Sequence, residues 1–421
     1  MNLPEKIHRF IHSQQPKTIE LLQRLVQEES TRENESSAQA IVIEKCRELK
    51  LDLDIWEIER IKLQSHPFFR CDRNEFEGNP NVVATLKGNG GGRSIILNGH
   101  IDVVPEGDPK DWRDDPFSGR VSEGKLYGRG STDMKGGNVA LLLAIEAIIS
   151  TGIKLKGDVI FQSVIEEESG GTGTLAALLR GYKADAAIIP EPTNMKLFPK
   201  QQGSMWFRIK VKGKSAHGGT RYEGVNAIEK AMKVISSLRE LEIKRNEEIN
   251  DPLYQSIPIP VPINIGRIEC GKWPSSVPDL AIIEGRVGVA PHETLEEVEN
   301  DVENWLRELK EQDEWFKEFP VELEWFGGRW QPGNLDHNHE LMNTIKSAYR
   351  EILNSEPIVE ASPWGTDGGI LSKGANIPVV VFGPGTTEVA HDSNEYIELE
   401  KVFQSAEIIA VTLLSWCGVD L

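Results

Sequence analysis

Gly128-Arg129-Gly130-Ser131-Thr132-Asp133-Met134-Lys135-Gly136-Gly137 is the stretch on which the rest of the chain depends. Glycines on both sides permit a sharp turn, and Val139, Leu142, Leu143 and Ile145 follow at helical spacing. Asp133 therefore falls on a tight loop just ahead of a helix. A helix N-terminus with Lys135 beside it favours an ionised acid, which suits a carboxylate that holds a cation. Capping is the commonest task of an aspartate at such a position, so a plain N-cap is the competing interpretation.

Working outward, residues 81–86 and 94–102 have the apolar character of strands, and the glycine cluster 88–92 between them suggests a hairpin-type turn. That cluster does not complete a G-x-G-x-x-G or G-K-[ST] motif, so nucleotide binding has no support. Downstream, residues 157–165 form another buried strand that runs into Glu166-Glu167-Glu168, and the strand 184–189 ends in Pro190-Glu191-Pro192-Thr193. Helices are predicted over 6–28, 37–49 and 174–179. Strands alternating with helices give an α/β fold with a mostly parallel sheet flanked by helices. Ligands of such sheets bind at the carboxyl ends of strands, where these acids stand.

The texture changes near Gly203. An alternating strand (206–211), a long helix (227–241), strands near 257–268 and 280–289, an acidic helix (294–309) and a strand at 321–326 make a compact α+β unit. The domain expectation is 1–203 with 327–421, and 204–326 inserted between them. The α/β pattern then resumes with a helix at 341–353, the Gly365-Thr366-Asp367 turn, a strand at 378–382 and His391 ahead of a last helix.

A length of 421 residues points to two domains, and 39% hydrophobic content with 10 Trp and 13 Phe can fill their cores. A net charge of -19 disfavours nucleic acid and anionic membranes as partners. Four scattered cysteines form no C-x-x-C pair and read as small buried hydrophobes of a cytoplasmic protein. No signal peptide or membrane span is expected.

His100 and Asp102 are two apart on a strand and point to one face, so the carboxylate can orient an imidazole that binds metal. A hydrogen-bonded structural histidine is the competing interpretation. Packed acids such as Glu166 to Glu168 raise one another's pKa unless a cation compensates them, the alternative being a solvated charge run. Neighbours on a strand alternate in direction, so Glu167 and Glu168 can do different jobs.

Taken in order, Gly99-His100-Ile101-Asp102-Val103-Val104-Pro105, Gly128 to Gly136, Glu167-Glu168-Ser169-Gly170-Gly171, Glu191-Pro192-Thr193 and the late His391 resemble the di-zinc hydrolases of the acetylornithine deacetylase, succinyl-diaminopimelate desuccinylase, aminoacylase and carboxypeptidase G family. The resemblance implies that Asp133 bridges two metals, one completed by His100 and Glu191 and the other by Glu168 and His391. Glu167 is then the general base, and the Asp133–Met134 peptide bond is cis. Zinc is the expected ion, with Co or Mn able to substitute. The inserted domain becomes a dimerisation or lid domain of a homodimer, and His217 in Gly213-Lys214-Ser215-Ala216-His217 donates to the oxyanion across the dimer. Asn264 and Arg286 resemble residues that hold a substrate carboxylate, and Gly383 and Gly385 resemble a loop that lends backbone donors. The implied activity is removal of a small acyl group from an N-acyl amino acid or related amine, acetylornithine deacetylation first. Desuccinylation of succinyl-diaminopimelate, deformylation of an aminopyrimidine and carboxypeptidase action are alternatives on the same scaffold. A metal-binding dimer without catalysis is the alternative from another class. Trp273, in the Cys270-Gly271-Lys272-Trp273-Pro274 segment, suits an aromatic wall for a ring-bearing substrate or a structural tryptophan of an inserted-domain loop.

Overall fold

The computed structural model describes residues 2–420, and the chain divides into two compact units. The first comprises Met1–Lys200, Gly333–Glu360 and Thr366–Leu421, and the second Gln201–Pro332 with Ala361–Gly365.

In the first unit the elements run α1 (Leu3–Gln27), α2 (Ser36–Glu48), β1 (Asp52–Glu57), β2 (Pro80–Leu86), β3 (Ile95–His100), α3 (Gly136–Ser150), β4 (Val159–Val164), α4 (Thr172–Leu179), β5 (Ala187–Ile189) and β6 (Leu197–Gln201). After the second unit come β7 (Gly333–Asn334), α5 (Glu340–Leu353), α6 (Gly368–Ala375), β8 (Val379–Val381) and α7 (Leu399–Cys417). The strands form one sheet in the order β1-β2-β4-β3-β5-β8-β6-β7. Its middle four strands, β4-β3-β5-β8, are parallel, and antiparallel strands extend it at both sides. Every residue of β3 and β4 is buried, as a sheet covered on both faces requires. Helix α3 is buried almost all round and packs against α1 and α7.

One expectation is corrected here. The glycine cluster at 88–92 does not close a hairpin, because β4 lies between β2 and β3. Strand β3 is buried along its whole length and takes a hydrogen-bonding neighbour on each edge, β4 and β5. The turn is tied instead to the start of β4: Asp158 accepts from the Gly88 amide at 2.8 Å and from Lys87 Nζ at 3.0 Å.

The second unit carries an antiparallel sheet of Ile263–Cys270, Leu280–Val289, Gly203–Lys212 and Glu322–Trp330, in that order. Met205, Phe207, Ile209 and Val211 alternate inward along one strand onto the helices Ala227–Glu247 and Leu295–Arg307. All four cysteines are free, with Cys46 and Cys417 buried. Among the described residues no helix is long and apolar enough to cross a membrane.

Candidate metal centre

Strand β3 ends on His100, which is 1% exposed. Its carbonyl accepts from Asn138 Nδ2 at 2.6 Å, which ties the strand end to α3. Residue 99 must be glycine for that approach, since a Cβ there would lie 2.0 Å from Asn138 Oδ1. His100 Nε2 then stands 3.2 Å from Asp133 Oδ1 and 3.8 Å from Glu191 Oε1.

Asp133 lies in a widened turn, Ser131–Lys135, ahead of α3. Its peptide bond to Met134 is cis, as the resemblance implies. Asp133 is not the N-cap of α3: Lys135 holds that position, and the Asp133 carboxylate faces two imidazoles. One expectation about the Asp133 carboxylate is corrected. Lys135 does not attend it. The fully buried ammonium donates to the carbonyls of Leu25 and Glu28, both at 2.8 Å, at the end of α1, and burial pushes its pKa down to about 7.

The second oxygen of Asp133 lies 3.3 Å from Nε2 of His391, which in turn stands 3.2 Å from Glu168 Oε1. Two sets, His100–Asp133–Glu191 and Asp133–Glu168–His391, thus share one carboxylate, and the ligand atoms of each set lie within 4.8 Å of one another.

Asp102 is placed differently from the expectation. His100 Nδ1 meets the Asp102 carbonyl oxygen at 2.8 Å, and the nearer Asp102 carboxylate oxygen is 3.7 Å from the ring. The carboxylate accepts instead from the amides of Glu167 and Glu168, at 3.3 and 3.1 Å. It therefore fixes the strand end that carries both glutamates. Burial pushes the Asp102 carboxyl up to about 8, with His100 opposing.

Burial also pushes Glu167 well above the usual carboxylate range, with Glu191, Asp367 and Glu168 acting the same way and His100 against them. Glu191 is raised by burial and by Asp133. For Asp133 burial is outweighed by hydrogen bonds from His100 and His391, which hold it far below that range. The charge of Glu168 lifts His391 to about 11. Acids that drive one another's pKa upward in a buried place form a donor set that two cations complete, since added positive charge lets all of them ionise together. Two imidazoles and three carboxylates are also the ligand types that zinc and its neighbours accept.

Several residues around the centre escaped sequence reasoning. Glu395, fully buried, accepts from the amides of Thr132 and Asp133 at 2.9 and 3.3 Å and from Arg129 Nη1 at 2.6 Å. Arg129 also reaches the carbonyls of His391 and Asp392, so one ion pair joins the Asp133 loop to the His391 loop. Arginine inside the Gly128 to Gly136 motif was the available signal. Glu166 accepts from Arg32 at 3.0 and 3.1 Å and from Arg73 at 2.9 Å, and Arg73 also holds Glu35 at 2.7 Å. Asp367, in the Gly365-Thr366-Asp367 turn that the sequence assigns to support of the site, accepts from Thr174 Oγ1 at 2.6 Å.

The remaining candidates fall into two groups. Gly383 and Gly385 pack against the same loops, where a Cβ would come 2.3 Å from the Pro190 oxygen and 2.2 Å from the Thr132 oxygen. The Gly383 amide donates to Thr193 Oγ1 at 3.0 Å, so Gly383 is a close-approach residue and not a free donor. His217, Asn264 and Arg286 belong to the second unit. Asn264 and Arg286 are cross-strand partners. The Arg286 Nε and Nη2 are buried without a hydrogen-bond partner, and burial lowers its pKa. His217 is exposed, and its Nδ1 accepts from the Gly219 amide at 3.1 Å.

Comparison with known proteins fits this geometry. The description of peptidase family M20/M25/M40 matches residues 96–415, and the chain belongs to that family of metallohydrolases. It is a hydrolase acting on amide C–N bonds. The chain is 32% identical over 406 residues to an N-formyl-4-amino-5-aminomethyl-2-methylpyrimidine deformylase of Halalkalibacterium halodurans, across 91% of this chain and 90% of that one. It is 27% identical over 423 residues to a probable succinyl-diaminopimelate desuccinylase of Staphylococcus aureus, across 93% and 95%. The solved di-peptidase Dug1p of Saccharomyces cerevisiae shares the fold, with a TM-score of 0.78 at 15% identity over 99% of each chain.

Proposed function

We propose that this chain is a two-metal amidohydrolase that removes a formyl or similarly small acyl group from the amine of an aminopyrimidine-like substrate. The observation that carries the reaction is Asp133 standing between two histidines, each with its own glutamate, beside a buried Glu167. His100, Asp133 and Glu191 hold one divalent ion, and Asp133, Glu168 and His391 the other, with zinc ahead of Co or Mn. Bound there, the ions supply Lewis acidity that makes water acidic near neutral pH and polarises the scissile carbonyl. Glu167 accepts the proton of the attacking water and delivers it to the departing amine nitrogen. Its buried position beside the ligand carboxylates suits it to carry that proton between the two steps. Asp102 keeps Glu167 and Glu168 in register through their amides. By the family pattern His217, acting across a homodimer, donates to the developing oxyanion, Asn264 and Arg286 bind the far end of the substrate, and Gly383 and Gly385 let the loops around it close up.

The formyl substrate is favoured over N-acetylornithine because 32% identity extends over nine-tenths of both chains in the deformylase comparison. Zinc-loaded protein offered the formylaminopyrimidine, N-acetylornithine and succinyl-diaminopimelate should release formate with kcat/KM about tenfold or more above the others. Preferential release of succinate replaces this reading with desuccinylation, which the unpartnered Arg286 guanidinium favours as a carboxylate clamp. No release of any acid by protein with two bound metals sinks the catalytic reading in favour of a metal-binding protein.

A further inference from the structure

Outside this centre the first unit contains a second convergence of metal-ligating side chains. Helix α1 carries His8 and His12, four residues apart and so on one face, with ring centroids 4.2 Å from each other. Glu407 on α7 faces them. One carboxylate oxygen lies 3.0 Å from His8 Nδ1 and the other 3.6 Å from His12 Nε2. One nitrogen from each ring and one carboxylate oxygen lie within 4.8 Å of one another.

The burial is unequal. Glu407 is 4% exposed, on a stretch of α7 where Ala406, Ile408 and Ile409 are also buried, whereas the side chains of His8 and His12 are 55% and 45% exposed. A carboxylate taken out of water needs compensating charge as well as hydrogen bonds. Among the described residues the ion-pair partners of Glu407 are these two imidazoles, with no lysine or arginine. Imidazole meets a carboxylate only through a hydrogen bond or an acquired proton, but a divalent cation meets it with charge. The far side of His12 has a side-chain amide that can set the ring for ligation. Gln15 Nε2 lies 3.2 Å from His12 Nδ1, and turning that amide over presents its oxygen to an Nδ1–H and leaves the Nε2 lone pair toward Glu407.

We propose that His8, His12 and Glu407 bind a further divalent ion of the late first-row class, zinc first and nickel or copper by the same chemistry. Two imidazole nitrogens and one carboxylate oxygen select that class over magnesium or calcium, and water fills the exposed coordination positions. The ion joins the N-terminal helix α1 to the C-terminal helix α7, two elements far apart in sequence that pack together and against α3. Its role is to clamp α1 to α7. None of its ligands belongs to the hydrolytic centre.

The test counts zinc per full-length chain, equilibrated at one free zinc concentration, in the wild type and in His8→Ala/His12→Ala. Both histidines lie on the partly exposed face of α1, and the acyl-release rate of the variant reports that the fold is kept. The variant is expected to hold one zinc fewer per chain and to keep the wild-type rate of acyl release. It should also lose the upper part of the zinc-dependent rise in Tm. Glu407→Gln, which preserves the side-chain shape, should weaken the same ion by at least about tenfold. The difference of one ion is read whatever number the hydrolytic centre binds, so failure of the centre and failure of the clamp separate. Equal zinc counts in wild type and double variant overturn the proposal, as does a zinc-dependent Tm rise that the double variant retains in full.

Discussion

Two clusters of buried acids meet between consecutive residues, Glu166 and Glu167, and their charges are balanced in different ways. Glu166 and Glu35 are fully buried and are held by Arg32 and Arg73, so that cluster carries its own positive charge. Glu167, Glu168, Glu191 and Asp133 face two imidazoles and one another. Where arginine supplies the balance, the acids are mortar, and burial weakens water's competition for the pair. Where acids raise one another's pKa, the balance must come from bound cations, and the place is a site. Glu166 adopts a left-handed backbone at φ 64°, a conformation that costs about 1 kcal/mol, at the junction between the two clusters.

The strongest way to break this comparison is to remove the carboxylate common to both metal sets. Asp133→Ala should abolish binding of both ions and lower kcat/KM by about 10⁴-fold or more, as read by metal content and acyl release together. A variant that retained two ions would show that the acids balance themselves. Next in size, Glu167→Gln keeps the shape but loses the proton carrier. It should lower kcat by about 10²- to 10⁴-fold while two ions remain bound. Loss of an ion in that variant would move Glu167 from proton carrier to ligand.

The difference between the clusters also governs what sequence alone can reveal. His100, Asp133, Glu168, Glu191 and His391 were legible because each stands at a strand end or loop within a short motif, and family resemblance joins the motifs. The arginine-held cluster was not legible. Arg32, Glu35, Arg73 and Glu166 are spread over the chain with no local spacing to connect them, and only the fold brings together the loop after α1, the segment before β2 and the residues that follow β4. Glu395 escaped for the same reason, since its partner Arg129 lies 266 positions away. The hairpin expected at 88–92 failed because glycine-rich turns report local bending, whereas the order of strands in a parallel sheet is set by crossovers. Lys135 misled through proximity in sequence: its long side chain carries the charge to the end of α1. By contrast, the alternation of residues 206–211 depends on the strand's own period and located the antiparallel sheet of the second unit directly.

A smaller perturbation sharpens the comparison from the other side. Arg73→Met leaves Glu35 without its guanidinium partner and Glu166 with Arg32 alone. Stranding buried charge in this way should cost about 3–5 kcal/mol of stability, measured by denaturant unfolding. The protein that remains folded at low temperature should still bind two ions and release acyl product, because the arginine cluster supports the fold and does not touch the ligands. Loss of an ion at unchanged stability would merge the two clusters into one functional unit.

The smallest effect concerns an acid of the second unit balanced by lysine. Burial opposes ionisation of Asp313, but Lys230 and Lys233, each 2.6 Å from Oδ2, hold its pKa down to about 2. The folded value lies below the ordinary aspartate value of about 3.9, so the folded state favours the ionised form. The resulting stability is fully present above pH ~4 and declines as pH falls from there through about 2. Lys233 is half exposed, and solvent screening limits the contribution to about 1 kcal/mol. Asp313→Asn should therefore lower the unfolding midpoint slightly at pH 7, by the same margin at pH 5, and by less once the pH is taken below 4. Metal content should stay at the wild-type value throughout. A margin that widened with acid would mean that the carboxylate is protonated in the fold and belongs with the mutually raised acids of the metal centre, and the distinction between lysine- or arginine-balanced and cation-balanced clusters would then fail in this chain.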